Sequence, residues 1–284
     1  MIVSRLIGGL GNQLFQYSAG RALSLRVGAA YRVDILDFKN YKLRNYDLRH
    51  FNVQAGIASK AERQIKSSSF LARLGLTGRQ DLELYREKSF SYNKEFLILP
   101  DGTYLDGYWQ SEKYFSDCSA QIRKDLVMTS APSEANRRIL DKIQTSHAVS
   151  IHVRRGDYVA NRKTNAFHGT CSAEYYRKAV SHICEKVKSD VVCYVFSDDI
   201  PWVRENIDLG VEMVFVDGND DENAFEDMRL MGACLHHVIA NSTFSWWGAW
   251  LNPSPDKIVV APLRWFNDES IDTSDLIPEQ WVRM

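Results

Sequence analysis

Hydrophobic positions fall into two rhythms along this chain. From residue 147 onward, apolar runs at Ala148–Val153, Val191–Phe196, Val211–Val216, His237–Ala240 and Ile258–Ala261 alternate with helical patterns near 172–188, 200–207, 222–235 and 242–251. Continuous apolar strands separated by helices predict a doubly wound parallel sheet with helices on both faces. The first half opens in the same way, with a strand over 2–7, a tight loop at Gly8–Gly11, a helix over 12–26 and a second strand at Tyr31–Ile35. That helix places Leu14, Phe15, Ser18, Ala22 and Leu25 on one face. The pattern then becomes less regular, with a helical stretch over 57–76 and strand-like pieces at Leu82–Tyr85, Phe96–Leu99 and Thr103–Gln110. A helix that starts behind Pro132 and ends near Ser146 marks a boundary. The expectation is an α/β chain of two Rossmann-like lobes, 1–146 and 147–284, and 284 residues suit two lobes at roughly 100 to 200 residues each.

Composition narrows the setting. With 35 basic and 36 acidic residues the formal charge is −1, so no global field draws the chain to nucleic acid, and any anion site must be local. The five cysteines Cys118, Cys171, Cys184, Cys193 and Cys234 form no C-x-x-C pair, which argues against a disulfide framework or a zinc ribbon and for a reduced cytosol. Met1–Gly9 carries no basic leader or cleavage site. The apolar stretch Val238–Leu251 is broken by polar residues, so no integral membrane anchor is expected. The resulting expectation is a cytoplasmic protein, or one held peripherally at the inner face of the membrane.

In open parallel sheets ligands bind beyond the carboxyl ends of the strands. The residues just past the five strands from 148 onward are Arg154-Arg155-Gly156-Asp157, Ser197-Asp198-Asp199, Asp217-Gly218-Asn219-Asp220, Asn241-Ser242-Thr243 and Pro262. Four of the five are polar. Adjacent arginines suit a diphosphate, because each guanidinium offers a planar fork of donors and stays charged. A surface pair bridging to nearby acids is the alternative. Asn241-Ser242-Thr243-Phe244 reads as a helix N-terminus, able to attract a phosphate or simply to cap itself. His152 fits a core histidine as well as a catalytic one. Trp246, Trp247 and Trp250 suit core packing, and the same holds for Tyr108-Trp109-Gln110, although an aromatic beside an amide would also suit an acceptor sugar.

Three segments taken together resemble the bacterial α-1,2-fucosyltransferases of glycosyltransferase family 11. They are Gly8-Gly9-Leu10-Gly11-Asn12-Gln13-Leu14-Phe15-Gln16-Tyr17, His152-Val153-Arg154-Arg155-Gly156-Asp157-Tyr158, and Asn241-Ser242-Thr243-Phe244-Ser245-Trp246-Trp247-Gly248-Ala249-Trp250-Leu251. Gly107-Tyr108-Trp109-Gln110-Ser111 and Phe196-Ser197-Asp198-Asp199 are similar to lesser signatures, with Trp109 where phenylalanine is more usual. The resemblance implies a GT-B-like fold and GDP-β-L-fucose as donor co-substrate, with no resident cofactor. It also implies a galactose-terminated oligosaccharide or lipid-linked glycan as acceptor, and inversion at the anomeric carbon. On the same grounds Arg154, with Arg155 beside it, takes the diphosphate, and Gly11, Asn12 and Gln13 reach the donor from the first lobe. Asp227 holds guanine N–H groups, while Ser197, Asp198, Asn241, Ser242, Thr243 and Phe244 lie along the nucleotide. Tyr108, Trp109 and Gln110 then face the acceptor.

Two other readings are open to the sequence. A nicotinamide oxidoreductase is suggested by the glycine turn and Asp34, but Gly9-Leu10-Gly11-Asn12-Gln13-Leu14 lacks the third glycine of the dinucleotide fingerprint. An adhesion module is suggested by Arg155-Gly156-Asp157, which here closes an apolar strand rather than sitting on a mobile loop. For sugar transfer, the proton of the acceptor hydroxyl has Asp157, His152, a water or the departing phosphate as candidate destinations. No Asp-x-Asp pair occurs in the chain, so no metal is expected. Asp198, Asp199, Asp217, Asp220 and Asp221 read instead as acids at helix starts.

Overall fold

The computed structural model describes residues 1–39, 45–66, 81–156 and 166–284. The chain divides into two compact units, residues 1–129 with 272–276 and residues 130–271 with 277–284.

The first unit contains β1 (Ile2–Arg5), α1 (Leu10–Val27), β2 (Tyr31–Asp34), β3 (Gly56–Ile57), β4 (Glu83–Arg86), β5 (Thr103–Asp106) and α2 (Ser119–Asp125). Its sheet has the order β3-β2-β1-β5-β4, and every pairing is parallel. Helix α1 does not present one apolar face. Leu10, Leu14, Phe15, Tyr17, Ala19, Ala22 and Leu23 are buried around nearly its whole circumference, whereas Leu25 is 41% exposed. The cause is that α1 packs on β1 and β2 and is also covered by α2 and by short turns at Leu48–His50 and Glu112–Tyr114.

Three further expectations for this unit are corrected. Phe96–Leu99 is not a strand but part of a 3-10 turn over Lys94–Ile98, started by Asn93, whose side chain accepts the Glu95 N–H at 2.9 Å. Asparagine favours such caps because its short carbonyl reaches a free backbone donor. The strand expected over Thr103–Gln110 stops at Asp106, since Trp109 turns the chain with φ of 55°. The helix expected over 57–76 begins instead with Gly56–Ile57 in β3 and a turn near 60–63, while 67–80 fall outside the described residues.

The second unit follows the predicted alternation closely. It contains α3 (Glu134–Gln144), β6 (His147–Val153), α4 (Ala173–Val187), β7 (Val191–Ser197), α5 (Ile200–Asn206) and β8 (Glu212–Val216). It continues with α6 (Ala224–Ala233), β9 (His236–Val238), α7 (Thr243–Leu251), β10 (Val259–Ala261) and β11 (Val282–Arg283). The sheet order is β11-β10-β9-β6-β7-β8, again parallel throughout. Helix α3 clusters with this unit, so the division falls ahead of it, at Thr129–Ser130, and not after 146. It packs on α6 and β6.

Alternation along the central strands sets both faces of this sheet. Val149, Ile151 and Val153 of β6 join Cys193 and Val195 of β7 against Tyr175, Tyr176, Ala179, Val180 and Ile183 of α4. The intervening residues Ala148, Tyr194 and Phe196 face Ile143 of α3 and Leu230 and Met231 of α6. Each valine, isoleucine, leucine, methionine or phenylalanine among them contributes about 1.5–3 kcal/mol when fully buried. Both faces are therefore covered, and two polar residues inside the sheet, Ser150 and His237, meet each other at 2.8 Å.

Candidate active site

Because β6 to β10 are parallel, their carboxyl ends share one edge of the second unit's sheet. The β6–β7 register pairs His152 with Phe196 and Val153 with Ser197, which brings the next residues, Arg154 and Asp198, side by side. Arg154 Nη1 lies 2.9 Å from Asp198 Oδ2. The other oxygen of Asp198 accepts the Arg155 backbone N–H at 2.8 Å. One carboxylate thus fixes both the Arg154 side chain and the path of the chain after it. Arg155 is held separately: its Cζ sits 3.5 Å from the centre of the Trp202 ring, and its Nε lies 3.5 Å from Asp199 Oδ2. A guanidinium over an indole is held by the ring quadrupole while its outer N–H groups stay available. Ser197 Oγ accepts the Asp199 N–H at 3.0 Å, so the hydroxyl shapes this turn.

His152 lies on the opposite face of β6 from Ile151 and Val153, in ring contact with Phe244 at 5.7 Å. Burial, and then the positive charge of Arg154, pull its pKa down to about 4 against the opposing pull of Asp198. The imidazole is neutral at pH 7, and its buried Nδ1 has no partner among the described residues. Asp157, the other expected proton acceptor, lies outside the described residues.

Asp227 stands in the first turn of α6. Burial raises its pKa to about 6, against the stabilising hydrogen bond from Asn219 Nδ2 at 2.7 Å. Asn219 exchanges amide hydrogen bonds of 2.9 and 3.3 Å with Asn136 of α3, so the carboxylate is held from two elements. Its neighbour Glu226 is committed to Arg229 at 2.8 Å.

At the start of α7, Ser242 Oγ accepts the Phe244 N–H at 3.3 Å, and Thr243 opens the helix. Asn241 is deeply buried, and its Nδ2 donates to the carbonyls of His168 at 2.8 Å and Trp265 at 3.2 Å. That amide holds two loops together behind the helix start. Trp246, Trp247 and Trp250 are buried, with Trp246 stacked on Trp250 and tilted against Trp281, so they build the core.

The sequence-predicted residues of the first unit gather on its own sheet edge. Gly8 turns the chain with φ of 81°, a left-handed conformation natural to glycine, and α1 follows. Gly11 is buried in the first turn of that helix. Asn12 Oδ1 accepts from Gln110 Nε2 at 3.0 Å, which joins the loop after β1 to the loop after β5. Gln13 is buried, donating to the carbonyls of Gly8 and Asn45 and accepting the Asp47 N–H, so its amide knits the loop. Tyr108 is half-buried, whereas Trp109 is only 1% exposed and packs among Tyr85, Phe96 and Tyr114. Its indole face is covered by neighbouring rings rather than offered to a ligand.

Among the acids weighed as metal ligands, Asp199 and Asp220 are helix caps, accepting the N–H of Trp202 and Asn223 respectively. Asp217 pairs with Arg204 at 3.4 Å. The sequence reading missed Trp202 and Asn136, and gave Asn219 no role beyond its place past a strand end. Trp202 carried a signal, standing three residues beyond the cap Asp199 on the first turn after the arginine-bearing edge. The pairing of Asn136 with Asn219 carried none, because it depends on the packing of α3 against α6.

Glycosyl transferase family 11 matches residues 3–284 of the chain. The chain is 34% identical over 291 residues to a protein of Escherichia coli named alpha-1,2-colitosyltransferase, covering 100% of this chain and 99% of that one. It is 26% identical over 155 residues to galactoside alpha-(1,2)-fucosyltransferase 1 of Ateles belzebuth, 52% of this chain and 42% of that protein. Among solved structures, POFUT1 in complex with GDP is similar with a TM-score of 0.51 at 13% identity, over 92% of this chain and 97% of that one. That likeness concerns the fold, which is of GT-B type. Two parallel sheets, a paired arginine at a strand end and a match over nearly the whole length lead to one assignment: the chain belongs to glycosyltransferase family 11.

Proposed function

We propose that this glycosyltransferase moves L-fucose from GDP-β-L-fucose to the 2-hydroxyl of a terminal galactoside, on a free oligosaccharide or a lipid-linked glycan, with inversion to an α-1,2 linkage. The observation that carries the reading is the shared strand edge of Arg154, Arg155 and Asp227, with Arg154 set by Asp198 and Asp227 set by Asn219. The arginines supply preorganised charge to the departing diphosphate. The ionised Asp227 accepts hydrogen bonds from two guanine N–H donors, which uracil lacks in that arrangement. As the acceptor oxygen bonds to the anomeric carbon, the bond from that carbon to the phosphate oxygen breaks and its electron pair leaves with GDP. Because inversion brings the acceptor in on the face of the sugar opposite the departing phosphate, the hydroxyl proton passes to a water or to His152, which is neutral and, with a conjugate acid near pKa 4, a weak base. No metal and no resident cofactor takes part in this scheme.

The test is linkage analysis of products formed from GDP-fucose and a panel of β-galactosides. An α-1,2-fucosylated product is expected, and absence of GDP release with every galactoside would overturn the reading. Colitose, which is fucose without its 3-hydroxyl, is a second donor candidate because a relative 34% identical is named for it. Turnover of GDP-colitose at the expense of GDP-fucose under competition would move the assignment to that sugar. Among the described residues no helix is long and apolar enough to cross a membrane, so a lipid-linked acceptor would be met from the surface.

A further inference from the structure

The carboxyl edge of the first unit's sheet carries a pocket that the donor chemistry does not use. It has a volume of about 200 Å³ and is lined by Tyr85, Glu87, Ser91, Tyr92, Asn93 and Trp109, among others. The β4–β5 pairing builds it. Arg86 stands beside Asp106 in the register, so Glu87 leaves β4 next to Gly107 as the chain leaves β5. The Glu87 carboxylate accepts the N–H of Tyr108 at 2.6 Å and that of Trp109 at 3.0 Å, pinning the turn in which Trp109 adopts its positive φ. Gly107 is required there by space: a Cβ on it would lie 2.4 Å from Glu87 Cβ and 2.9 Å from Trp109 Cε2.

The rings are ordered from below. Tyr85 stacks on Trp109 at 5.9 Å, and Tyr92 meets Tyr114 edge-on at 4.9 Å. The Tyr85 hydroxyl accepts from Asn93 Nδ2 at 3.0 Å, which leaves its own proton to donate. Ser91 Oγ donates to Asp272 and keeps lone pairs free to accept. Trp109 Nε1 is buried without a partner among the described residues. The pocket therefore presents tyrosine faces beside a fixed carboxylate and hydroxyls, at the edge of a parallel sheet where ligands bind.

We propose that this pocket is a saccharide subsite of the first unit, taking one uncharged pyranose ring of the acceptor against Tyr85 and Tyr92 with a sugar hydroxyl donated to Glu87. The assignment rests on the galactoside-acceptor reading above. Its chemistry follows from the lining. Aromatic faces match the C–H side of a pyranose, and fixed acceptors beside them match its hydroxyls. A phosphate is disfavoured, since the only cation among the lining residues, Lys88, stands next in sequence to Glu87. Burial also raises the pKa of Glu87 to about 7 even against its two backbone hydrogen bonds, so the carboxyl is a poor counter-ion for a cation at neutral pH and a serviceable partner for a hydroxyl.

The full-length chain is tested with lactose as probe, by saturation-transfer NMR without donor and by initial-rate kinetics with GDP-fucose. Saturation of the lactose ring protons is expected, lost in Tyr92→Ala and weakened in Tyr85→Phe, the milder change that keeps the stacked ring. The same Tyr92→Ala change is expected to raise the lactose KM about tenfold with the GDP-fucose KM unchanged. Far-UV circular dichroism and an unaltered GDP affinity confirm that each variant is folded. An unchanged lactose KM in an active, folded Tyr92→Ala enzyme overturns the subsite, as does displacement of lactose by choline, which would mark an aromatic cage for a cation. Lactose contact at this pocket without any fucosyl product would instead leave the subsite standing and remove the transfer reading.

Discussion

Asp198 and Arg154 form an ion pair of 2.9 Å at the carboxyl ends of β7 and β6, and the same carboxylate accepts the Arg155 backbone N–H. A negative group in this place weakens attraction for a diphosphate, so its value must lie in orientation. A guanidinium aimed by a fixed partner is preorganised for charge that develops only as the leaving group departs.

Replacing Arg154 by lysine exchanges a bidentate fork for a point charge, and turnover is expected to fall about a hundredfold. Asp198→Asn keeps an acceptor for the Arg155 N–H but loses the ionic aim, with an expected loss of about tenfold in kcat. Combined, the two changes should cost little more than Arg154→Lys alone, since both disturb one interaction. Fully multiplicative losses in steady-state kinetics would show that Asp198 acts elsewhere.

The raised pKa of Asp227 gives nucleotide choice a pH signature. With Asp227 in the proposed guanine-binding role, the carboxylate is ionised above about 6 and would accept from guanine, and below it the proton would sit where guanine offers its own donors. The ratio of GDP to UDP affinity, measured calorimetrically, should fall as pH drops through about 6, with the shared phosphate titration cancelling. Asp227→Asn should flatten that ratio. In the unliganded protein the sign reverses. A folded-state pKa raised above the ordinary aspartate value of about 3.9 contributes stability at low pH that is lost as pH rises towards about 6. Asp227→Asn should therefore gain in melting temperature relative to the parent above pH 6.

Trp202 holds Arg155 by its ring alone, with no hydrogen bond between the two side chains. Trp202→Leu is expected to raise the GDP-fucose KM roughly threefold to tenfold, and Trp202→Phe to restore most of it. Equal effects of leucine and phenylalanine would reduce the tryptophan to packing.

Sugar transfer should survive chelation. Two arginines and the start of α7 supply positive charge at the same edge, and Asp199 and Asp220 are occupied as helix caps. Full GDP release after exhaustive EDTA treatment is expected. An inactive chelated enzyme restored by magnesium or manganese would place carboxylates in a metal shell.

Much of the second unit was legible because its strands are buried on both faces and its helices have strong starts, as with Ser172 before α4 and Asp199 before α5. The site was legible where it follows strand ends, since parallel strands carry Arg154 and Asp198 to one edge whatever the rest does. Less could be read where tertiary packing overrides local pattern. Phe96 looked like a strand residue because it is aromatic and buried, yet Asn93 starts a turn there, and its burial comes from Trp109 and Tyr114. Glu87 carried no signal, because its importance comes from a backbone conformation at Trp109 that few would infer for a tryptophan.

The return of residues 272–276 to the first unit means that this half of the molecule is not written in one stretch of the gene. Asp275 accepts the Tyr92 N–H at 2.8 Å and pairs with Lys113 at 2.6 Å, and its carbonyl takes the Ser111 hydroxyl at 2.6 Å. During synthesis these contacts therefore form only once residues 272–276 have been made, and a fragment ending at residue 129 would lack them.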